Sequence, residues 1–432
     1  MLSPPKKTDM KNFNFPIKKA IFCFFIIPIY QFACLTEINA QYPNINDDIA
    51  KHRKGELIIK SKPGERVVVE QMSHEFWFGC AISNSMAGGS RSENDIRQYK
   101  EHFLKNFNSA VTENALKWGN MEREKGQVNY EVVDAILKWT EENHIPLRGH
   151  NLFWGIEKFV QPWVKELDDN ELRQTLQNRA ETITARYKGR FAEYDLNNEM
   201  IHGNYYEDRL GPEITKLMTQ WAHNGDPDAK LYLNDYDITT GNRLADYMAQ
   251  IRKLLEQKVP IAGIGVQGHL HTDTFDRDAL KNALDSLSVF KLPIRITEFN
   301  MPGQRSKYYR DKILVMTPEE EELKAKEMVD FYKICFAHPA VEGILMWGFW
   351  EGANWIPVSS LYKRDWSPTP AAEAYQNLIF KEWWTKSSGT VGKDGVFSIP
   401  AFYGKYKVTI KGISKEIGLS KAEGKVMVDF RK

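Results

Sequence analysis

The sequence predicts an α/β fold, a (β/α)8 TIM barrel with an N-terminal β-hairpin extension and a small C-terminal all-β module, on three observations. Short apolar runs recur through the middle of the chain, helical patterns fill most of the gaps between them, and segments of period two flank both ends. The runs are FWFGCAI (76–82), FNSAVT (107–112), PLRGHNLFW (146–154), FAEYDL (191–196), KLYLND (230–235), IAGIGVQGH (261–269), LPIRITE (292–298) and VEGILMWGF (341–349). Stretches such as YEVVDAILKWTEENH and NRLADYMAQIRKLLEQK carry apolar residues at helical spacing. Strands that alternate with helices build a parallel sheet, and eight such units close it into a barrel. A doubly wound sheet would want a Gly-rich phosphate turn early in the chain, and the sequence has none.

In chain order, residues 1–40 read as a signal peptide. Lys6, Lys7, Lys11, Lys18 and Lys19 precede AIFCFFIIPIYQFACL (20–35), which is too short and too interrupted by Pro28 to span a membrane. Ala40 then closes a cleavage site before Gln41, so the expected destination is outside the cytoplasm: secreted, periplasmic or cell-surface. Cys80 and Cys335 remain in the mature chain, both in apolar segments, and are expected to be buried free thiols. Residues 41–75 form the N-terminal β extension, in which GELIIKSKPGERVVVEQMSHEF (55–76) alternates like a hairpin. Residues 76–385 make the barrel. Residues 386–432, Gly/Ser-punctuated and alternating, make the small C-terminal β module.

Lys and Arg total 58 against 57 Asp and Glu, a net charge of +1. That balance gives no electrostatic reason to expect nucleic acid or, in the mature form, a membrane as partner. The chain is expected to be a monomer without metal or other cofactor. Its 12 Trp and 18 Tyr are many, and aromatic faces suit sugar rings, although most such residues belong to cores.

The chemistry is read from YDLNNEM (194–200), where an apolar run breaks off into Asn197, Asn198 and Glu199. Active sites of this barrel lie at the C-terminal ends of its strands, and this cluster ends the fourth. LPIRITEFN ends the seventh in the same way with Glu298, 99 residues later, or three βα units of about 33 residues each. Two carboxylates facing across a barrel mouth suit glycosidic bond cleavage, in which one protonates the leaving oxygen while the other attacks or activates water. Asn198 could donate a hydrogen bond to a sugar hydroxyl.

Seven segments carry a closer likeness: TENALKW (112–118), RGHNLFW (148–154), YDLNNEM, LNDYD (233–237), GIGVQGH (263–269), ITEFN (296–300) and LMWGFWEGANW (345–355). In this order, each at an expected strand end, they resemble glycoside hydrolase family 10, the endo-β-1,4-xylanases, from about residue 75 to 385. The resemblance implies a retaining mechanism on xylan or xylo-oligosaccharide, with Glu199 as acid/base and Glu298 as nucleophile. It also implies that Asn114, Lys117, His150, Trp154, Asn198, Gln267, His269, Trp347 and Trp355 line the subsite of the reacting xylose. The flanks resemble those of the branch in which WGFWE replaces the commoner barrel ending. Phe402, Tyr403 and Tyr406 are candidates for a polysaccharide-binding face on the C-terminal module, although packing against EWW (382–384) is the preferred reading for so short a module.

Two departures stand out. Gly155 occupies the place of the family's second His, and Asn300 that of its usual Asp two positions after the nucleophile. Without an anionic partner the neutral form of His269 is favoured, and an amide must orient it. Other readings use the same residues. Glu298 could pair with Arg295 as a structural carboxylate. Glu199 with His202, and Glu141 with His144, form ExxH pairs, the pattern of a di-iron bundle. His269 and His271 form an HxH that would serve a metal-dependent hydrolase, with Asp235 and His150 as further ligands. A related β-1,4-glycanase with glucan side activity is a further alternative, whereas a catalytically dead carbohydrate-binding protein would lack one of the two carboxylates.

Overall fold

Helix Ile45–Arg53, where the sequence predicts only β structure, runs into β1 (Lys54–Lys60), and β2 (Arg66–His74) follows. The two strands do not pair with each other as the expected hairpin would: each joins a different sheet, because each finds its partners in strands from the C-terminal end of the chain. These elements belong to a computed structural model that describes residues 38, 41–87 and 91–431, so the expected signal peptide lies outside the described residues apart from Ile38.

The barrel follows. Its strands are β3 (Trp77–Ile82), β4 (Ser109–Thr112), β5 (Leu147–Gly149) with β6 (Phe153–Trp154), β7 (Glu193–Asn198), β8 (Leu231–Asp235), β9 (Gly263–Val266), β10 (Ile294–Phe299) and β11 (Val341–Met346). The short pieces β5 and β6 both pair with β7 and together fill one position, so the closed ring has eight staves. Every neighbouring pair is parallel, and β11 closes on β3 with Ile344 opposite Phe78. Helical periodicity explains the outer layer: helix Glu131–Glu142 buries Val133, Ile136 and Leu137, and helix Leu244–Glu256 buries Leu244, Tyr247, Ile251 and Leu254. Capping residues set where helices begin. Asp168 with Glu171, and Thr317 with Glu320, form capping boxes that satisfy the first free N–H groups of helices Asp169–Arg186 and Pro318–Ala337.

Inside the barrel, below the mouth, lies a layer of paired charges. Arg148 bridges Glu193 and Asp195, and Arg295 meets Glu193 at 2.8 Å while its guanidinium lies 4.0 Å from the Trp77 ring. Arg295 is therefore taken by Glu193, not by Glu298. Burial opposes ionisation of Glu193, but the two guanidinium groups outweigh it and bring its pKa down to about 2.

The chain ends in β12 (Lys386–Thr390), β13 (Val396–Phe402), β14 (Gly404–Ile410), β15 (Ile413–Leu419) and β16 (Lys425–Asp429). These do not form a sheet of their own. β1 lies between β13 and β16, and β2 lies between β12 and β14, with β15 at the outer edge. The sequence separates 41–75 from 386–432; in the fold the two flanks share one core of Leu57, Ile59, Val67, Val69, Tyr406, Val408 and Val428. Period-two alternation supplies that core from both ends of the chain. Phe402 and Tyr406 are buried, and Tyr406 gives its hydroxyl hydrogen to the Phe402 carbonyl, so these two are not the exposed sugar platforms considered above. Cys80 and Cys335 are free and buried.

Candidate active site

The turn after β7 shows how the backbone presents the first carboxylate. Glu199 takes a left-handed conformation at φ 61°, a strained choice for a residue with a side chain. Its N–H bonds to the Asn234 carbonyl at 2.9 Å, its carbonyl accepts from His202 N–H at 3.0 Å, and Ile201 N–H donates to Asp235 Oδ2 at 3.1 Å. The buried Asp235 carboxyl thus pins the turn that makes β7 break off into polar residues.

Glu199 is held from two sides: Trp154 Nε1 donates to its Oε2 at 2.9 Å and Gln267 Nε2 donates to its Oε1 at 3.0 Å. Burial raises its pKa above the ordinary value, those two hydrogen bonds work against the rise, and the charge of Glu298 adds to it.

Glu298, on β10, has a different environment. Asn234 Nδ2 donates to Oε1 at 2.9 Å, His269 Nε2 lies 3.1 Å from Oε2, and His150 Nδ1 is 3.9 Å from Oε1. Burial again disfavours the charge, but His150, His269 and Lys117 outweigh it and pull the pKa down to about 2. The two carboxyls are therefore driven apart in proton affinity, one kept ionised and the other inclined to hold its proton.

The remaining expected residues gather around this pair. Asn114 accepts a hydrogen bond from Lys117 Nζ at 2.9 Å, and that ammonium lies 4.9 Å from the Trp154 ring and 5.8 Å from that of Trp347. His150 meets Asp195 through Nδ1 at 2.7 Å and stands edge-on to Trp347 at 5.0 Å. Asn198 accepts from Asn234 at 2.9 Å. Trp355 is 38 % exposed against 7 % for Trp347, which makes it the more open aromatic face.

The HxH histidines look to different partners: His269 to Glu298 and Asn300, His271 to Asp237. Among the described residues no group of three or more His, Cys, Asp or Glu is arranged to hold a metal ion. The ExxH pairs likewise diverge, since Glu141 is bound by Arg190.

The sequence reading passed over Asn234 as a site residue. In the sequence Asn234 is one residue of the LNDYD motif; in the structure it bridges Asn198 and Glu298 while Thr297 Oγ1 donates to its carbonyl oxygen at 2.6 Å. Gly155 also gains an explanation. A Cβ there would come within 3.2 Å of Tyr206 and 3.3 Å of Asn204, because the loop after β7 packs on this glycine and Tyr205 N–H bonds its carbonyl at 2.8 Å. A side chain at 155 would require the Tyr206 and Asn204 side chains to give way.

With this geometry the chain matches the Glycosyl hydrolase family 10 profile over residues 68–378. It belongs to that family. Among its relatives, endo-1,4-beta-xylanase 1 of Arabidopsis thaliana is 35% identical over 382 residues, 86% of this chain and 38% of that protein. The anti-sigma-I factor RsgI6 of Acetivibrio thermocellus is also 35% identical, over 399 residues, 89% of this chain and 49% of that protein. The chain thus spans about half or less of the length of these relatives. Xylanase 10B from Thermotoga petrophila RKU-1, solved in complex with xylobiose, superposes with a TM-score of 0.63 at 26% identity, covering 71% of this chain and 95% of that one.

Proposed function

We propose that this chain is a retaining endo-β-1,4-xylanase that cleaves xylan or xylo-oligosaccharides by double displacement. The carrying observation is the opposite tuning of two carboxyls at one barrel mouth, with Glu298 brought down to about 2 and Glu199 raised. A Glu298 oxygen bonds to the anomeric carbon as the glycosidic C–O bond breaks, and the departing oxygen takes the Glu199 proton. Water then attacks the glycosyl-enzyme, giving its proton to Glu199 and freeing Glu298. Asn114, Lys117, His150, Trp154, Asn198, Gln267, His269, Trp347 and Trp355 hold the reacting xylose. The substrate class rests on family membership and on the names of the relatives. Export rests on the Lys-rich, apolar first forty residues; among the described residues no helix is long and apolar enough to cross a membrane.

An aryl xyloside with an acidic leaving group separates the two roles, because such a leaving group needs little protonation. Glu199→Ala should form the glycosyl-enzyme and stall there, visible by intact mass, whereas Glu298→Ala should form none. The same covalent adduct on both variants would overturn the assignment.

A further inference from the structure

We propose that Phe159 is a positioning residue for the acid/base carboxylate, acting through Trp154. The inference rests on the reading of Glu199 as acid/base. Phe159 ends the short turn Glu157–Phe159 and is 42 % exposed. Its ring stacks on Trp154 at 3.8 Å between centroids and 23° between planes, and the Lys158 ammonium lies 4.6 Å from it.

An aromatic side chain left this open to water adds little to a core, so its use lies in what it touches. Trp154 turns about two side-chain torsions, and a stacked neighbour removes most of that freedom by fixing the plane of the indole. Once the plane is fixed, the single indole N–H points in one direction, and here that direction is Glu199 Oε2 at 2.9 Å. Lys117, 4.9 Å from the same ring, also contacts the indole, but as a point charge it sets no ring plane.

Loss of the stack would let the indole swing and weaken the hydrogen bond that favours ionised Glu199. The other groups whose charge Glu199 feels are Glu298, His150, Lys117, Asp235 and Tyr236. Of the groups around Glu199, Trp154 is the one on which the Phe159 ring stacks, so a substitution at Phe159 reads the Trp154 bond.

The test compares Phe159→Ala and Phe159→Tyr with the unaltered enzyme on a xylo-oligosaccharide and on an aryl xylobioside with an acidic leaving group. For Phe159→Ala, kcat/KM on the oligosaccharide should fall about tenfold, as expected when one hydrogen bond to a charged group is weakened. The aryl substrate should change less than about twofold, since its departure hardly needs the acid. The basic limb of the oligosaccharide pH profile should move to higher pH, and Phe159→Tyr, which keeps the stacking face, should restore both rate and limb. Thermal unfolding of Phe159→Ala should stay close to that of the parent, because the side chain is exposed. Equal losses on both substrates with an unmoved limb, or no change at all, would overturn the role of Phe159. Glu199→Ala run beside it keeps the two ideas apart. If Glu199→Ala discriminates between the substrates and Phe159→Ala does not, only this inference falls; if Glu199→Ala fails to discriminate, the acid/base reading itself falls.

Discussion

His269 is tethered to Asn300, its Nδ1 2.9 Å from the amide oxygen. The same oxygen accepts the Trp355 indole N–H at 2.9 Å, and the Asn300 amide nitrogen donates to Ser359 at 3.1 Å. An indole nitrogen can only donate, so the amide orientation is settled and Nδ1 of His269 carries a hydrogen. Nε2 can then donate to Glu298 only when the ring holds both protons. The amide supplies the orientation that the sequence reading required of it.

Replacing Asn300 by Asp puts an anion against that Nδ1–H and stabilises the doubly protonated ring. A charged ring beside Glu298 holds that nucleophile ionised further down, so the acidic limb of kcat/KM for Asn300→Asp on a soluble xylo-oligosaccharide should move to lower pH than that of the parent. An unmoved or upward-shifted acidic limb would show that residue 300 does not govern the ring.

Asn234 gives a second prediction, because one of its amide hydrogens goes to the nucleophile. In Asn234→Ala the ionised form of Glu298 loses a donor, so the acidic limb of kcat/KM should move up from the low pH expected of a group held at about 2. The rate constant should fall roughly ten- to hundredfold, the worth of a hydrogen bond to a charge. A rate loss with an unmoved acidic limb would mean that Asn234 acts on substrate rather than on Glu298.

The charge layer beneath the site gives a third. Arg148→Met strips Asp195 of its guanidinium and leaves Glu193 to Arg295 alone, which should destabilise the fold by about 3–5 kcal/mol in urea unfolding at neutral pH. The folded-state pKa of Glu193, about 2, is depressed below the unfolded value. Its contribution is therefore complete above the ordinary carboxylate range and is lost as pH falls toward 2. The parent should lose more stability than the variant between roughly pH 6 and pH 3, which covers the upper part of that window. A neutral-pH loss below about 1 kcal/mol would contradict the structural role of the layer.

The strands of the barrel were legible because each is a local signal, an apolar run closed by polar residues at its C-terminal end. Glu199 and Glu298 were legible for the same reason. What could not be read was pairing between distant segments. Nothing local in β1 says that Leu57 lies opposite Ile399 on one side and Val426 on the other. Alternation in FYGKYKV marks two faces but not which is covered, so the buried Tyr406 looked like an exposed candidate. Asn234 hid in plain view: its importance lies in a hydrogen bond to a residue 64 positions away. Arg295 lies close to Glu298 in the chain, yet its carboxylate partner is Glu193, 102 positions away.

The central claim is double displacement at Glu298, and the first-formed anomer tests it most directly. Proton NMR of xylo-oligosaccharide hydrolysis, followed before mutarotation, should show the β-anomer appearing first, because two inversions at the anomeric carbon restore its configuration. Initial appearance of the α-anomer would mean a single displacement by water and would contradict the account.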